Sequence, residues 1–172
     1  MFAARKLEIV VAAVIVVFDQ ITKAMVRPGL ALHDSVEVIP GLLDLTRVHN
    51  TGAAFGMLNA VDFPMKPLVL SAVALIALGG VAWYAATVPL TDRLARVGVA
   101  GVLGGAIGNL IDRTKDGYVL DFVDVYWGGW HFWAFNVADA AITVGVIFMI
   151  LDMLGLGRRS VGETSSNASN PV

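Results

Sequence analysis

The groups in this sequence that can hold, pass or shed a proton sit where an apolar chain seldom keeps them. Asp19 and Gln20 interrupt a hydrophobic run that starts near Leu7, and Asn109, Asp112 and Arg113 close another. Asp121 and Asp124 follow in VLDFVDV, and Asn136 and Asp139 open a last apolar stretch. A charged side chain near a bilayer's centre costs about 2.5–3.5 kcal/mol on insertion scales, so such groups persist only where something holds them. Carboxylates that share one site hold a proton between them and can activate water. The 172 residues include no cysteine, which excludes disulfides and thiolate nucleophiles. The three histidines (His33, His49, His131) form no His-Glu-x-x-His, so we expect no metal and no cofactor.

The elements that must position these groups are membrane spans. The chain is 57% hydrophobic and 15% charged, with a mean hydropathy of +0.74; soluble domains carry about 25% charged residues. Four stretches approach the ~20 apolar residues that a span requires: Leu7 to Met25, Pro67 to Ala86, Leu94 to Ile111 and Asn136 to Leu156. The first resembles a signal peptide core, but Asp19-Gln20 breaks it and no Ala-x-Ala follows, so it reads as a retained helix. Asp19 lies roughly 18 Å along that helix from Leu7. Its side of the membrane is the side where the third helix ends and the fourth begins, so polar groups from separate parts of the chain converge on one face.

The loop from Val26 to Lys66 holds alternating stretches, Val36–Ile39 and Leu43–Thr46, that predict a small β-sheet between the first two helices. The loop from Thr114 to Phe135 is dense in aromatics and is expected at the headgroup level. The fold class expected is thus an all-α membrane protein: four transmembrane helices plus a small extracytoplasmic sheet. One domain, 1–156, precedes a polar tail, 157–172, expected to be disordered. Basic residues divide evenly between the two sides, so their tally decides no orientation. Their short flanks on the terminal side favour cytoplasmic termini. A net charge of −2 excludes a broad nucleic-acid surface.

Gly101, Gly105, Gly108 and Asp112 fall within about 60° of one another on a helix, a stripe that admits a close neighbour and leads to the polar cluster. Each polar site alone also has a plainer reading. Asp19 and Lys23 stand at i, i+4 and can neutralise each other. Asn136 and Asp139 have the spacing of a helix cap with its capping-box acid. Asp121, Asp124, Arg47 and Arg113 suit an interface, and His49 and His131 suit hydrogen bonding there.

Together, the motifs resemble the lipoprotein signal peptidases (signal peptidase II) of bacteria. The matching blocks are Asp19-Gln20-Ile21-Thr22-Lys23, Asn50-Thr51-Gly52-Ala53-Ala54-Phe55-Gly56, Gly105 to Arg113, Val119 to Asp124, and Phe135-Asn136-Val137-Ala138-Asp139, all in family order. The resemblance implies an aspartic endopeptidase whose catalytic pair is Asp121 and Asp139. It implies supporting roles for Asp19, Asn50, Asn109, Asp112, Arg113 and Asn136. The implied substrates are diacylglyceryl-modified prolipoproteins, cut just before the lipidated cysteine. It further implies a multi-pass monomer of the bacterial inner membrane, with lipids as neighbours and the site toward the extracytoplasmic side. A proton-coupled transporter and a structural assembly factor are the rival classes; neither accounts for five ordered motifs.

Overall fold

The computed structural model describes residues 5–52, 58 and 60–156. Ala53 to Gly56 of the second motif and the 157–172 tail lie outside the described residues. The elements, in chain order, are α1 (Lys6–Gly29), β1 (Ser35–Ile39), β2 (Leu43–Asn50), α2 (Lys66–Thr87), α3 (Arg93–Asp116), β3 (Val119–Trp127), β4 (Trp130–His131) and α4 (Val137–Met153). The four expected helices are present, with α1 and α3 each extending about a turn beyond the expected end.

Local chemistry explains the boundaries. Pro67 stands in the first turn of α2, where its missing N–H costs nothing. Gly117 ends α3 in the left-handed region at φ 79°, a conformation open to glycine without strain. Asn136 caps α4: its side chain accepts from the Asp139 amide while the Asp139 carboxylate accepts from the Asn136 amide.

Among the described residues, α1, α2 and α3 are long and apolar enough to cross a membrane. With 17 residues, α4 is the shortest, about 26 Å at the α-helical rise. Apolar side chains face outward, as at Ile76 (76% exposed), Trp83 (74%) and Met153 (75%), while Asp19, Lys23, Asn109, Asp112 and Asn136 are buried. Water-soluble domains show the reverse, and a hydrocarbon surround accounts for the inversion.

Helix α3 is central and packs on α1, α2 and α4. Its glycines serve two neighbours rather than one. A Cβ on Gly101 would lie 2.9 Å from the Ala141 carbonyl of α4, and one on Gly104 would lie 2.9 Å from that of Ala12 on α1. Gly105 meets the Ala138 carbonyl of α4, and Gly108 meets the Asp19 carboxylate. At the far end of the bundle Arg96 grips Glu8 through two hydrogen bonds (2.8 and 2.7 Å). Arg5 donates to the Ala86 and Val88 carbonyls there (both 2.9 Å), tying α1 to the end of α2.

The sheet departs from expectation. It is four-stranded, ordered β1-β2-β3-β4 and antiparallel throughout, so both loops build it rather than the first alone. The expected strands at 36–39 and 43–46 fall within β1 and β2. The aromatic segment, expected to lie simply at the interface, supplies β3 and β4. In β3 the first four residues, Val119 to Phe122, are all buried, so a half-exposed alternation never develops there. Between Leu45 and Val48 the β2–β3 register shifts, with one extra residue on β2.

Candidate active site

Asp121 and Asp139 arrive from different elements and line the same cavity of about 460 Å³, together with Asn50, Asn109 and Arg113. The walls are apolar and aromatic: Val119, Phe132, Trp133, Phe135, Ile142 and Val144. Strand pairing sets the first carboxylate. Asn50 pairs with Val119 and Val48 with Asp121, which puts Asn50 and Asp121 two positions apart on one sheet face. There the Asn50 amide donates to Asp121 Oδ2 at 3.0 Å. The helix cap sets the second carboxylate, because the Asn136 backbone N–H donates to Asp139 Oδ2 at 3.2 Å.

Asn136 joins the two. Its side-chain Nδ2 donates to Asp121 Oδ1 at 2.7 Å, and its Oδ1 accepts from the Asp139 amide at 2.9 Å. The Asn109 Nδ2 donates to Asp139 Oδ1 at 2.8 Å. Among the described residues each carboxylate thus receives two donors, one to each oxygen. Asp121 is 2% exposed. Burial first, and then the Asp139 charge, push its carboxyl up to about 7, against the opposing pull of the Asn50 and Asn136 hydrogen bonds.

Behind the pair lies a buried ionic cluster. Lys23 Nζ meets Asp19 Oδ2 and Asp112 Oδ2, each at 2.9 Å. Asp19 Oδ1 also accepts the Ala138 amide of α4 at 3.0 Å, and Asp112 Oδ2 accepts the Leu120 amide of β3 at 3.2 Å. Asp19 and Asp112 therefore anchor the segments just before Asp139 and Asp121. Gln20 adds a donor to Asp112 Oδ1 at 3.1 Å. Arg113 faces the cavity and donates to the Gly52 carbonyl at 3.2 Å.

The eight residues expected as the pair and its supports come together at this end of the bundle: Asn50, Asn109, Arg113, Asp121 and Asp139 line the cavity, Asn136 bonds to Asp121, and Asp19 and Asp112 lie behind, linked to Asn109 through Lys23. Arg113 does not pair with Asp112; Lys23 and Arg27 do. Asp124 turns away to His131 Nδ1 at 2.8 Å. Arg47 is no mere anchor, since it donates to the Arg27 and Leu30 carbonyls and closes the end of α1. His49 stacks on Tyr118 with ring centroids 3.7 Å apart, and burial, then the Arg47 charge, hold its imidazole below the usual range. The plainer readings at Asp19 and Asn136 hold as far as they go: the i, i+4 pair and the capping box both exist. They are part of the site's construction rather than alternatives to it. Lys23 was read as the i, i+4 partner of Asp19 and Gln20 as a break in the apolar run, and neither was placed among the site residues, although a lysine and an amide kept inside an apolar helix carry the same signal as Asp19. No group of three or more metal-ligating side chains occurs among the described residues.

The family model and the curated relatives point to one family. The family model for signal peptidase (SPase) II matches residues 11–155. The lipoprotein signal peptidase of Symbiobacterium thermophilum is 44% identical over 153 residues, covering 89% of this chain and 97% of that protein. That of Geobacter metallireducens is 45% identical over 150 residues, 87% of this chain and 91% of its own. A bacterial membrane enzyme solved at 1.9 Å superposes with a TM-score of 0.72 at 28% identity, covering 87% of this chain and 93% of that one. Another, solved at 2.3 Å, gives 0.71 at 32% identity, covering 93% and 95%.

Proposed function

The chain belongs to the signal peptidase II family, and on that premise we propose that it is an intramembrane aspartic endopeptidase. It removes signal peptides from diacylglyceryl-modified prolipoproteins, cutting just before the lipidated cysteine. The observation that carries this reading is the joint placement of Asp121 and Asp139 on one cavity, bridged by Asn136.

Two carboxylates so placed cannot both ionise readily, and the pair keeps one proton near neutrality. The charged member takes a proton from a water lying between them, and the water oxygen attacks the scissile carbonyl. The protonated member polarises the carbonyl oxygen. Collapse of the tetrahedral intermediate then delivers a proton to the leaving amine. Asn109 and Asn136 already spend side-chain donors on the carboxylates. Arg113, on the cavity wall with its bond to Gly52, is the better donor to the developing oxyanion. Neither a metal nor a covalent enzyme intermediate enters this scheme.

Apolar cavity walls running along α4 suit a substrate held by its acyl chains, each buried methylene contributing about 0.8 kcal/mol. We take α4 as the fourth span, since its 17 residues reach the lower end, about 17, of spanning lengths. With four spans the termini share a side, which we assign to the cytoplasm of a bacterial inner membrane; the cavity then opens extracytoplasmically. Purified protein should cleave a diacylglyceryl-modified precursor and spare its unlipidated form. Asp121→Asn and Asp139→Asn should each abolish cleavage, and undiminished turnover by both variants removes the proposed chemistry.

A further inference from the structure

We propose that Lys23 is a positioning residue for the aspartyl pair, orienting the Asn109 amide so that its Nδ2 points at Asp139. This rests on the reading of Asp121 and Asp139 as the catalytic pair. Lys23 is 1% exposed, and its ammonium has three N–H donors and no acceptor. Three oxygens surround it at 2.9 Å each: Asp19 Oδ2, Asp112 Oδ2 and Asn109 Oδ1. Every donor is matched.

The third contact has a consequence for the reaction. An atom that faces an ammonium must accept, so the Asn109 oxygen is turned to Lys23 and the nitrogen to Asp139 Oδ1, at 2.8 Å. Were the amide reversed, a carbonyl oxygen would face a carboxylate oxygen and Asp139 would lose a donor. Asn136 offers weaker guidance. Its Nδ2 lies within reach of three acceptors, Asp121 Oδ1 at 2.7 Å, Asn109 Oδ1 at 3.1 Å and the Leu120 carbonyl at 3.2 Å. An amide nitrogen has two hydrogens, and the shortest of the three bonds goes to Asp121. Asn136 cannot hold all three, and Lys23 holds Asn109 without that competition.

The two carboxylates beside Lys23 keep its ammonium in place, and they in turn grip Ala138 and Leu120. A change at Lys23 alone would leave them facing each other, so the test uses a balanced background. Lys23→Met with Asp112→Asn retains the trio's formal charge of −1, and the amide oxygen introduced at position 112 can still accept from the Leu120 N–H. The reference is Asp112→Asn alone. The assay is cleavage of a diacylglyceryl-modified precursor, with thermal melting as the check on folding.

In that background Lys23→Met should lower kcat about tenfold or more and leave KM within about twofold. When Asn109→Ala is already present, the same Lys23→Met change should alter kcat by less than about twofold, because the orientation it controlled is gone. Lys23→Gln, which keeps one N–H for Asn109 Oδ1, should recover most of the lost kcat. Equal losses with and without Asn109, or a Gln variant as impaired as the Met variant, would overturn the proposal. Cleavage by Asp139→Asn would instead dismiss the catalytic reading itself, which separates the two failures.

Discussion

Asn136 does two separable jobs, and one substitution series divides them. Its Oδ1 caps α4 by accepting the Asp139 amide, and its Nδ2 donates to Asp121 Oδ1 at 2.7 Å. Serine at this position retains the cap, since a hydroxyl accepts the same N–H, but it is too short to donate to Asp121. Alanine loses both. Capping is worth about 1 kcal/mol, so in detergent Asn136→Ala should be less stable than Asn136→Ser by about that amount. A hydrogen bond to a charged acceptor is worth about 1.5–3 kcal/mol, and Asn136 is 0% exposed, so water is not at hand to replace the donor. Both variants should therefore lose about ten- to 150-fold in kcat/KM. The Asn136 bond draws the Asp121 carboxyl down. Its removal should move the alkaline limb of the pH profile upward in both variants, whatever their stability. Serine and alanine variants that differ in activity but agree in stability would refute the division. So would an unmoved alkaline limb.

Wild-type kcat/KM should fall as pH rises through about 7, where the pair loses its shared proton. Between about pH 4 and 7 the folded chain binds more protons at Asp121 than the unfolded chain, so stability declines with rising pH. Asp121→Asn should flatten that decline when melting temperatures are compared across the range. Gly105→Ala should destabilise α3–α4 packing by about 1–3 kcal/mol, despite alanine's better helix propensity, because the added Cβ meets the Ala138 carbonyl backbone; thermal melts measure it. Arg96→Met leaves Glu8, 6% exposed, with Arg5 as its ionic partner among the described residues. Losing the Arg96 hydrogen bonds should cost about 1.5–3 kcal/mol in melting free energy with little effect on the KM of the surviving folded enzyme.

Much of the site was legible because burial in hydrocarbon makes polarity expensive. Asp19, Asn109, Asp112, Asn136 and Asp139 stood out for that reason, and helical geometry alone put them at one end of the bundle. The capping-box spacing of Asn136 and Asp139 was visible too. That the cap also braces the other carboxylate depends on β3, which approaches from elsewhere in the chain. Asn50 was accessible only through its motif, since its contact with Asp121 requires β2 to pair with a strand 71 residues distant. The second loop's strands escaped notice because four consecutive buried residues, Val119 to Phe122, erase the alternation that marked β1 and β2. Lys23 was read as half of an i, i+4 pair. Its bonds to Asp112 and Asn109 on α3 are tertiary, and no single-helix pattern contains them. The orientation stayed open because basic residues fall equally on both sides.

The extra residue that β2 carries between Leu45 and Val48 divides that strand into two independently phased halves. Leu43–Leu45 follow the outer hairpin, and Val48–Asn50 follow the end that reaches Asp121. An insertion or deletion at the β1–β2 turn should therefore leave the inner pairs, Val48 with Asp121 through Asn50 with Val119, in register. A single-residue deletion between Val48 and Asn50, or between Val119 and Asp121, has no such buffer. It reverses which side of the strand carries the amide or the acid, and the two would part company while the rest of the bundle stays assembled.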